Sequence, residues 1–69
     1  MRKQIKIEGM TCEHCVNAIK SALEELGAEN IIVNLSDGYA DAEISASDDD
    51  IKEKIADEGY TVGIITELN

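Results

Sequence analysis

Apolar residues recur along this 69-residue chain in two periods that take turns. Ile5 and Ile7 are separated by Lys6 and followed by Glu8, the period of two expected of a half-buried strand, which closes at Gly9. Steps of three and four then take over. Val16, Ile19, Leu23 and Leu26 line one face, Asn17, Lys20, Ser21, Glu24 and Glu25 fall on others, and Gly27 is a natural stop, so the segment reads as an amphipathic helix of about three to four turns. Ile31, Val33 and Leu35 return to the period of two, Ser36-Asp37-Gly38 supplies a turn, and Ala40, Ala42 and Ile44 form a third strand, the second arm of a hairpin. A second helix opens at Ser47, which caps it, with Asp48, Asp49 and Asp50 at its positive end. Ile51 and Ile55 are its buried stripe, Ala56 supports them, and Gly59 ends it. Tyr60, Val62 and Ile64 alternate through a last strand.

The order β-α-β-β-α-β predicts an α+β fold, a ferredoxin-like sandwich: a four-stranded antiparallel sheet with both helices on one face. Residues 1–69 are expected to form one domain, because no proline-rich, linker-like or low-complexity stretch divides them. A chain this short buries roughly 60% of its unfolded surface. Phe and Trp are absent and only two Tyr occur, so Ile, Val, Leu and Ala must build the core. The acidic run Asp48–Asp50 fits helix capping better than calcium, which would need more ligands on a spaced loop.

Charge and hydropathy exclude several functions. No run approaches the roughly 18 apolar residues of a membrane span, so no membrane insertion is expected. The start, Met1-Arg2-Lys3-Gln4-Ile5, lacks the apolar stretch of a secretory signal, and a cytoplasmic location is expected, where reducing conditions keep thiols free. Fifteen acidic residues against six basic ones give a net charge of −9, which repels nucleic acid and anionic membranes and favours a partner with a basic face. The same acidity also serves simple solubility.

The candidate chemistry sits where the first strand gives way to the first helix, in Gly9-Met10-Thr11-Cys12-Glu13-His14-Cys15. Side chains three apart at a helix start share a face, with Cβ atoms about 5–6 Å apart. Two metal–sulfur bonds of about 2.3 Å, the zinc–thiolate value, span at most about 4.6 Å, which this spacing can supply. A closed structural zinc site needs four ligands, whereas this chain has two Cys and one His. A two-thiolate site is soft and coordinatively open, which suits monovalent copper and leaves room for a partner's thiolate to join before the first protein lets go.

These residues resemble the heavy-metal-associated domain family, which comprises small copper chaperones and the soluble metal-binding domains of copper-transporting P-type ATPases. The resemblance continues through Val33-Asn34-Leu35 and Glu58-Gly59-Tyr60-Thr61-Val62, so it covers nearly the whole chain. It implies that Cys12 and Cys15 are the copper(I) ligands, that Tyr60 lies in the loop beside them, and that the partner is a copper-transporting P-type ATPase or its soluble metal-binding domain. It also implies a monomer without metal, with a copper-bridged dimer open to the loaded form.

The neighbours of the pair have expected supporting roles. Gly9 permits a sharp turn out of the strand. Met10 reads as a flexible core plug, with thioether ligation as the minor alternative. Thr11 is expected to cap the first helix. Zinc, cadmium and lead domains resembling this family often place Asp at the Thr11 position, and the missing oxygen donor favours copper, although Glu8 and Glu13 lie nearby. His14 is either an exposed bystander or a third ligand that tunes copper-bridged dimers. Tyr60 is either a core aromatic or a shield over the sulfurs whose hydroxyl bonds toward them, and the resemblance to bacterial copper chaperones favours the shield. Cys12, at the very start of the helix, is expected to be the more exposed and the more acidic thiol, displaced first during transfer.

Rival readings are a thiol–disulfide oxidoreductase, a zinc or mercury binder, and a domain cut from a P-type ATPase. Redox enzymes with Cys-x-x-Cys are usually longer and carry a cis-proline, and this chain has no proline. The Met1 start and a fold ending at Asn69 favour a free-standing carrier. No Ser/His/Asp set, paired acid–base carboxylates or phosphate-binding glycine loop is present, so no enzymatic activity is expected.

Overall fold

The computed structural model describes residues 1–68, so the expected closure of the fold at Asn69 lies outside the described residues. Its elements are β1 (Arg2–Glu8), α1 (Glu13–Glu25), β2 (Glu29–Asn34), β3 (Tyr39–Glu43), α2 (Asp48–Asp57) and β4 (Thr61–Glu67). The four strands form one antiparallel sheet in the order β2-β3-β1-β4. Ile5 and Ile7 of β1 and Ala40 and Ala42 of β3 face a cluster completed by Ile19 and Leu23 of α1 and by Ile51 and Ile55 of α2. Both helices therefore pack on one face of the sheet, as the residue pattern predicted. Small alanines on the central strand β3 let the branched helix side chains approach the sheet closely.

Each helix ends in the same way. Gly27 N–H donates to Glu24 O and Ala28 N–H to Leu23 O after α1, while Gly59 N–H donates to Ala56 O and Tyr60 N–H to Ile55 O after α2. These paired bonds are the Schellman motif, and the glycine in each adopts the left-handed backbone that the motif requires. At the start of α2 the Ser47 hydroxyl accepts from Asp50 N–H at 3.1 Å, as expected of a cap.

Three expectations from periodicity need correction. Ile64 was expected to face inward, yet it is 74% exposed. The pairing of β1 with β4 shows why: Ile5 pairs with Ile65 but Ile7 pairs with Val62, so β4 carries one extra residue. That bulge reverses the phase of the strand, and Val62 and Ile65 pack against the core instead. Ala56 is exposed, because the stripe of α2 is carried by Ile51 and Ile55 alone. Thr11 does not cap α1, because the helix begins at Glu13 and Cys12 takes the capping position, making no side-chain cap bond.

Periodicity also missed buried residues, Ala22, Ala28 and Lys3 among them. Ala22 of α1 is fully buried between the residues of the apolar stripe. Lys3 shares the core face of β1 with Ile5 and Ile7 and is 8% exposed. Its ammonium reaches past the edge of the core to Asp48 Oδ1 at 2.9 Å and to Ala46 O at 3.2 Å, so the apolar stem covers the cluster while the charge is paired. A second tie joins the helices, with Lys54 Nζ donating to Glu25 Oε1 at 2.6 Å.

The phase reversal in β4 makes a stability prediction. Ile55→Ala, which empties a fully buried site, should cost about 2–5 kcal/mol. Ile64→Ala should stay within about 0.5 kcal/mol of the parent, as a change at an exposed position does. Urea denaturation of the two variants checks both values, and equal costs would contradict the bulge.

Candidate metal centre

The two sulfurs are brought together by the geometry of a helix start. Cys12 occupies the capping position with extended backbone (φ −156°, ψ 175°), and its carbonyl accepts from the N–H groups of Cys15 and Val16 at 3.0 and 3.2 Å. Cys15 is the third residue of the helix. In a capping box the side chains at these two positions reach toward each other across the first turn. Here both are thiols, and the sulfurs lie 3.5 Å apart with no bond between them. Gly9, in the left-handed region at φ +91°, turns the chain out of β1 ahead of the loop. Met10 is 9% exposed and belongs to the core cluster, so it pins the loop from below.

The pair is asymmetric. Cys12 is exposed, while Cys15 is 8% exposed and part of the core cluster. Sulfurs 3.5 Å apart and metal bonds of about 2.3 Å give a sulfur–metal–sulfur angle near 100°, and a linear ion would require the sulfurs to part by about 1 Å. The exposed Cys12 side chain is free to make that movement.

A sequence model of the heavy-metal-associated domain matches residues 4–61. The chain belongs to this family. It is 43% identical over 65 residues to the copper chaperone CopZ of Staphylococcus epidermidis, covering 88% of this chain and 96% of that protein. Over 65 residues it is 40% identical to the copper chaperone CopZ of Bacillus subtilis, covering 88% and 94%. Among solved structures, a CopZ metallochaperone superposes with a TM-score of 0.83 at 30% identity, covering 91% of this chain and all of that one. A copper-binding domain from HMA7, a P-type ATPase, superposes with a TM-score of 0.82 at 35% identity, covering 93% of each chain.

Within the domain, Tyr60 is set by the end of α2. The Schellman motif at Gly59 directs the chain back over the Gly9 turn, where Tyr60 Cδ1 would lie 3.7 Å from a Cβ placed on Gly9. From there the Tyr60 hydroxyl is close enough to the Cys15 thiol to favour its ionised form. Thr11, displaced from capping, turns to the same sulfur, and its hydroxyl lies 3.9 Å away. His14 is exposed on the first turn of α1. Among the described residues, no group of three or more His, Cys, Asp or Glu is placed to hold one ion.

These contacts set the acidity of Cys15, the thiol that sequence position did not single out. The depressed pKa belongs to Cys15, lowered from 9.0 to about 6. The Thr11 N–H contributes most, the Tyr60 hydroxyl next, and the Cys12 thiol and N–H less, while burial opposes them. The same bond pushes the Tyr60 hydroxyl up to about 12, since losing its proton would break the bond and place a second anion beside the first. Sequence position alone pointed to Cys12, the residue nearest the helix end. The donors that decide the matter come from the loop and from the far end of the chain.

A group whose pKa is lowered by folding stabilises the fold fully above its unfolded value and loses that contribution as pH falls through its folded value. For Cys15 the window runs from about 9 down to about 6. In the metal-free, reduced protein, the stability difference between wild type and Cys15→Ser should therefore widen as pH rises from 6 to 9. Denaturant midpoints at each pH measure it, and a constant difference would show that Cys15 is not held as a thiolate.

Proposed function

We propose that this domain is a cytoplasmic copper carrier that holds one copper(I) ion between Cys12 and Cys15 and passes it by ligand exchange to a copper-transporting P-type ATPase or that ATPase's soluble metal-binding domain. The observation that carries the reading is the sulfur pair itself: two free thiols 3.5 Å apart on one helix start, one exposed and one buried. The copper chaperones among its relatives and the P-type ATPase domain among its structural neighbours support the choice of ion and of partner.

The asymmetry of the pair orders the exchange. An incoming partner thiolate reaches the ion from the exposed side and bonds to it, giving three sulfurs around copper. The Cys12–copper bond then breaks, and Cys12 leaves as a thiolate that takes a proton from solvent. Cys15, buried in the core cluster, keeps the ion until a second partner thiolate replaces it. One metal–sulfur bond forms for each that breaks, so no step leaves copper bare.

Anaerobic titration of the reduced protein with copper(I) and with zinc, followed by ultraviolet charge-transfer absorption and chelator competition, tests the reading. Cys12→Ser should lower copper affinity by more than the roughly 10–100-fold that loss of a supporting contact costs, and Tyr60→Phe should fall within that range. Cys12→Ser is the cleaner thiol variant, since Cys15 also belongs to the core. Wild-type copper affinity in Cys12→Ser would reject two-thiolate binding.

Docking should follow charge. Glu13 opens α1, and Asp57 and Glu58 close α2 immediately before Gly59 and Tyr60, so carboxylates flank the sulfur-bearing end of a domain with net charge −9. Transfer to a partner with a basic face should slow as salt shortens the screening length below about 8–10 Å. Stopped-flow transfer rates that do not change with ionic strength would leave thiolate exchange as the whole mechanism.

A further inference from the structure

The sulfur pair is preset for a bent ligand. With the sulfurs 3.5 Å apart, bonds of about 2.3 Å close on a central atom at an angle near 100°. A linear copper(I) ion therefore opens the pair by about 1 Å on binding, whereas an element whose bonds stand near right angles enters without moving either sulfur. Ligand number narrows the choice. Tetrahedral zinc takes four donors, and among the described residues no group of three or more His, Cys, Asp or Glu is placed to hold an ion. The ligand that fits is soft, bonds close to right angles and asks the protein for two sulfurs only.

Trivalent arsenic that carries one organic group meets all three conditions. Its lone pair folds its three bonds into a pyramid with angles near right angles, and its own carbon fills one position, leaving two for thiolates. Access and acidity suit the same reagent. Cys12 is exposed and can form the first bond, while Cys15, 3.5 Å away with its pKa lowered to about 6, is a thiolate at neutral pH and closes the second. Because Cys15 is 8% exposed, the organic group leaves the site on the Cys12 side. The second bond forms within one molecule, which raises affinity over that of a single thiol by about 10²–10⁴-fold.

We propose that the reduced pair of Cys12 and Cys15 is a preformed binding site for monosubstituted trivalent arsenicals, which occupy it in place of copper. An arsenical R–As=O and the two thiols give R–As bonded to both sulfurs and one water. Two arsenic–sulfur bonds replace the arsenic–oxygen double bond, the two thiol protons leave on the oxygen, and arsenic stays trivalent, so no oxidant or reductant enters. The chelate holds both sulfurs at their resting separation and denies copper the movement of Cys12 that a linear ion needs. The proposal rests on the same two free thiols as the copper reading, and not on which ion the domain carries.

Phenylarsine oxide titrated into the metal-free full chain, kept reduced with a phosphine and free of any competing dithiol, tests the proposal. Intact mass should show one arsenical per chain, with both thiols consumed. Urea denaturation then separates a preset pair from a bare Cys-x-x-Cys. A ligand raises the midpoint only if the folded state binds it more tightly than the unfolded chain, which keeps both cysteines. The midpoint should rise by the equivalent of at least about a tenfold preference for the folded state. Cys12→Ser should weaken binding by at least about 100-fold and abolish the rise. An unchanged or lowered midpoint in the wild-type adduct would overturn the proposal, as would wild-type arsenical affinity in Cys12→Ser. Copper(I) titration of the same protein keeps the two readings apart: tight copper binding without an arsenical shift overturns this proposal alone, and an arsenical shift without copper binding overturns the copper reading alone.

Discussion

The site depends on the placement of one sulfur at the third residue of a helix. There Cys15 is close enough to the capping position to meet the Cys12 sulfur at 3.5 Å, and far enough inside the first turn to join the core. Backbone N–H groups at a helix start are unpaired, and a thiolate near them gains both hydrogen bonds and a favourable field. The remaining features follow from keeping that sulfur in place. Met10 fills the core beneath the loop, Gly9 turns the chain above it, and Tyr60 arrives from the end of α2 with its ring against the Gly9 turn.

The two halves of the chain contribute unequally to this arrangement although they share a plan. Both helices end in the same glycine motif, but only the second returns the chain to the sulfurs. The β1–α1 turn carries the two thiols, and the α2–β4 turn supplies Tyr60, which helps to lower the Cys15 pKa. A small domain thus builds an asymmetric site from two similar units, with the sheet holding the two turns side by side. Ion pairs from Lys3 to Asp48 and from Lys54 to Glu25 brace the helices away from the sulfurs, leaving the metal-bearing end to be shaped by backbone geometry and packing.

Charge and packing divide the surface. Acidic residues gather on the helices and flank the sulfurs, whereas half of the chain's six basic residues lie on β1. Glu13, Asp57 and Glu58 therefore lie near the sulfurs, while on β1 Arg2 and Lys6 face away from the core and Lys3 turns its charge to Asp48.

Much of this was written in local pattern. Alternation at Ile5 and Ile7, helical spacing from Val16 to Leu26, the Ser47 cap and the closing glycines determined the number, type and order of the elements, because each depends on neighbours a few residues away. The Cys-x-x-Cys spacing likewise determined that two thiols share one helix face. Tertiary structure decided what depends on partners distant in sequence. The bulge that turns Ile64 outward arises from pairing with β1 and leaves no mark in the alternation of β4 itself. Lys3 reads as a surface residue until Asp48, 45 positions away, arrives to accept its charge. The low pKa of Cys15 leaves no mark in the residues beside it in sequence, because the Tyr60 hydroxyl that helps to lower it comes close only once α2 and β4 have folded against the first turn.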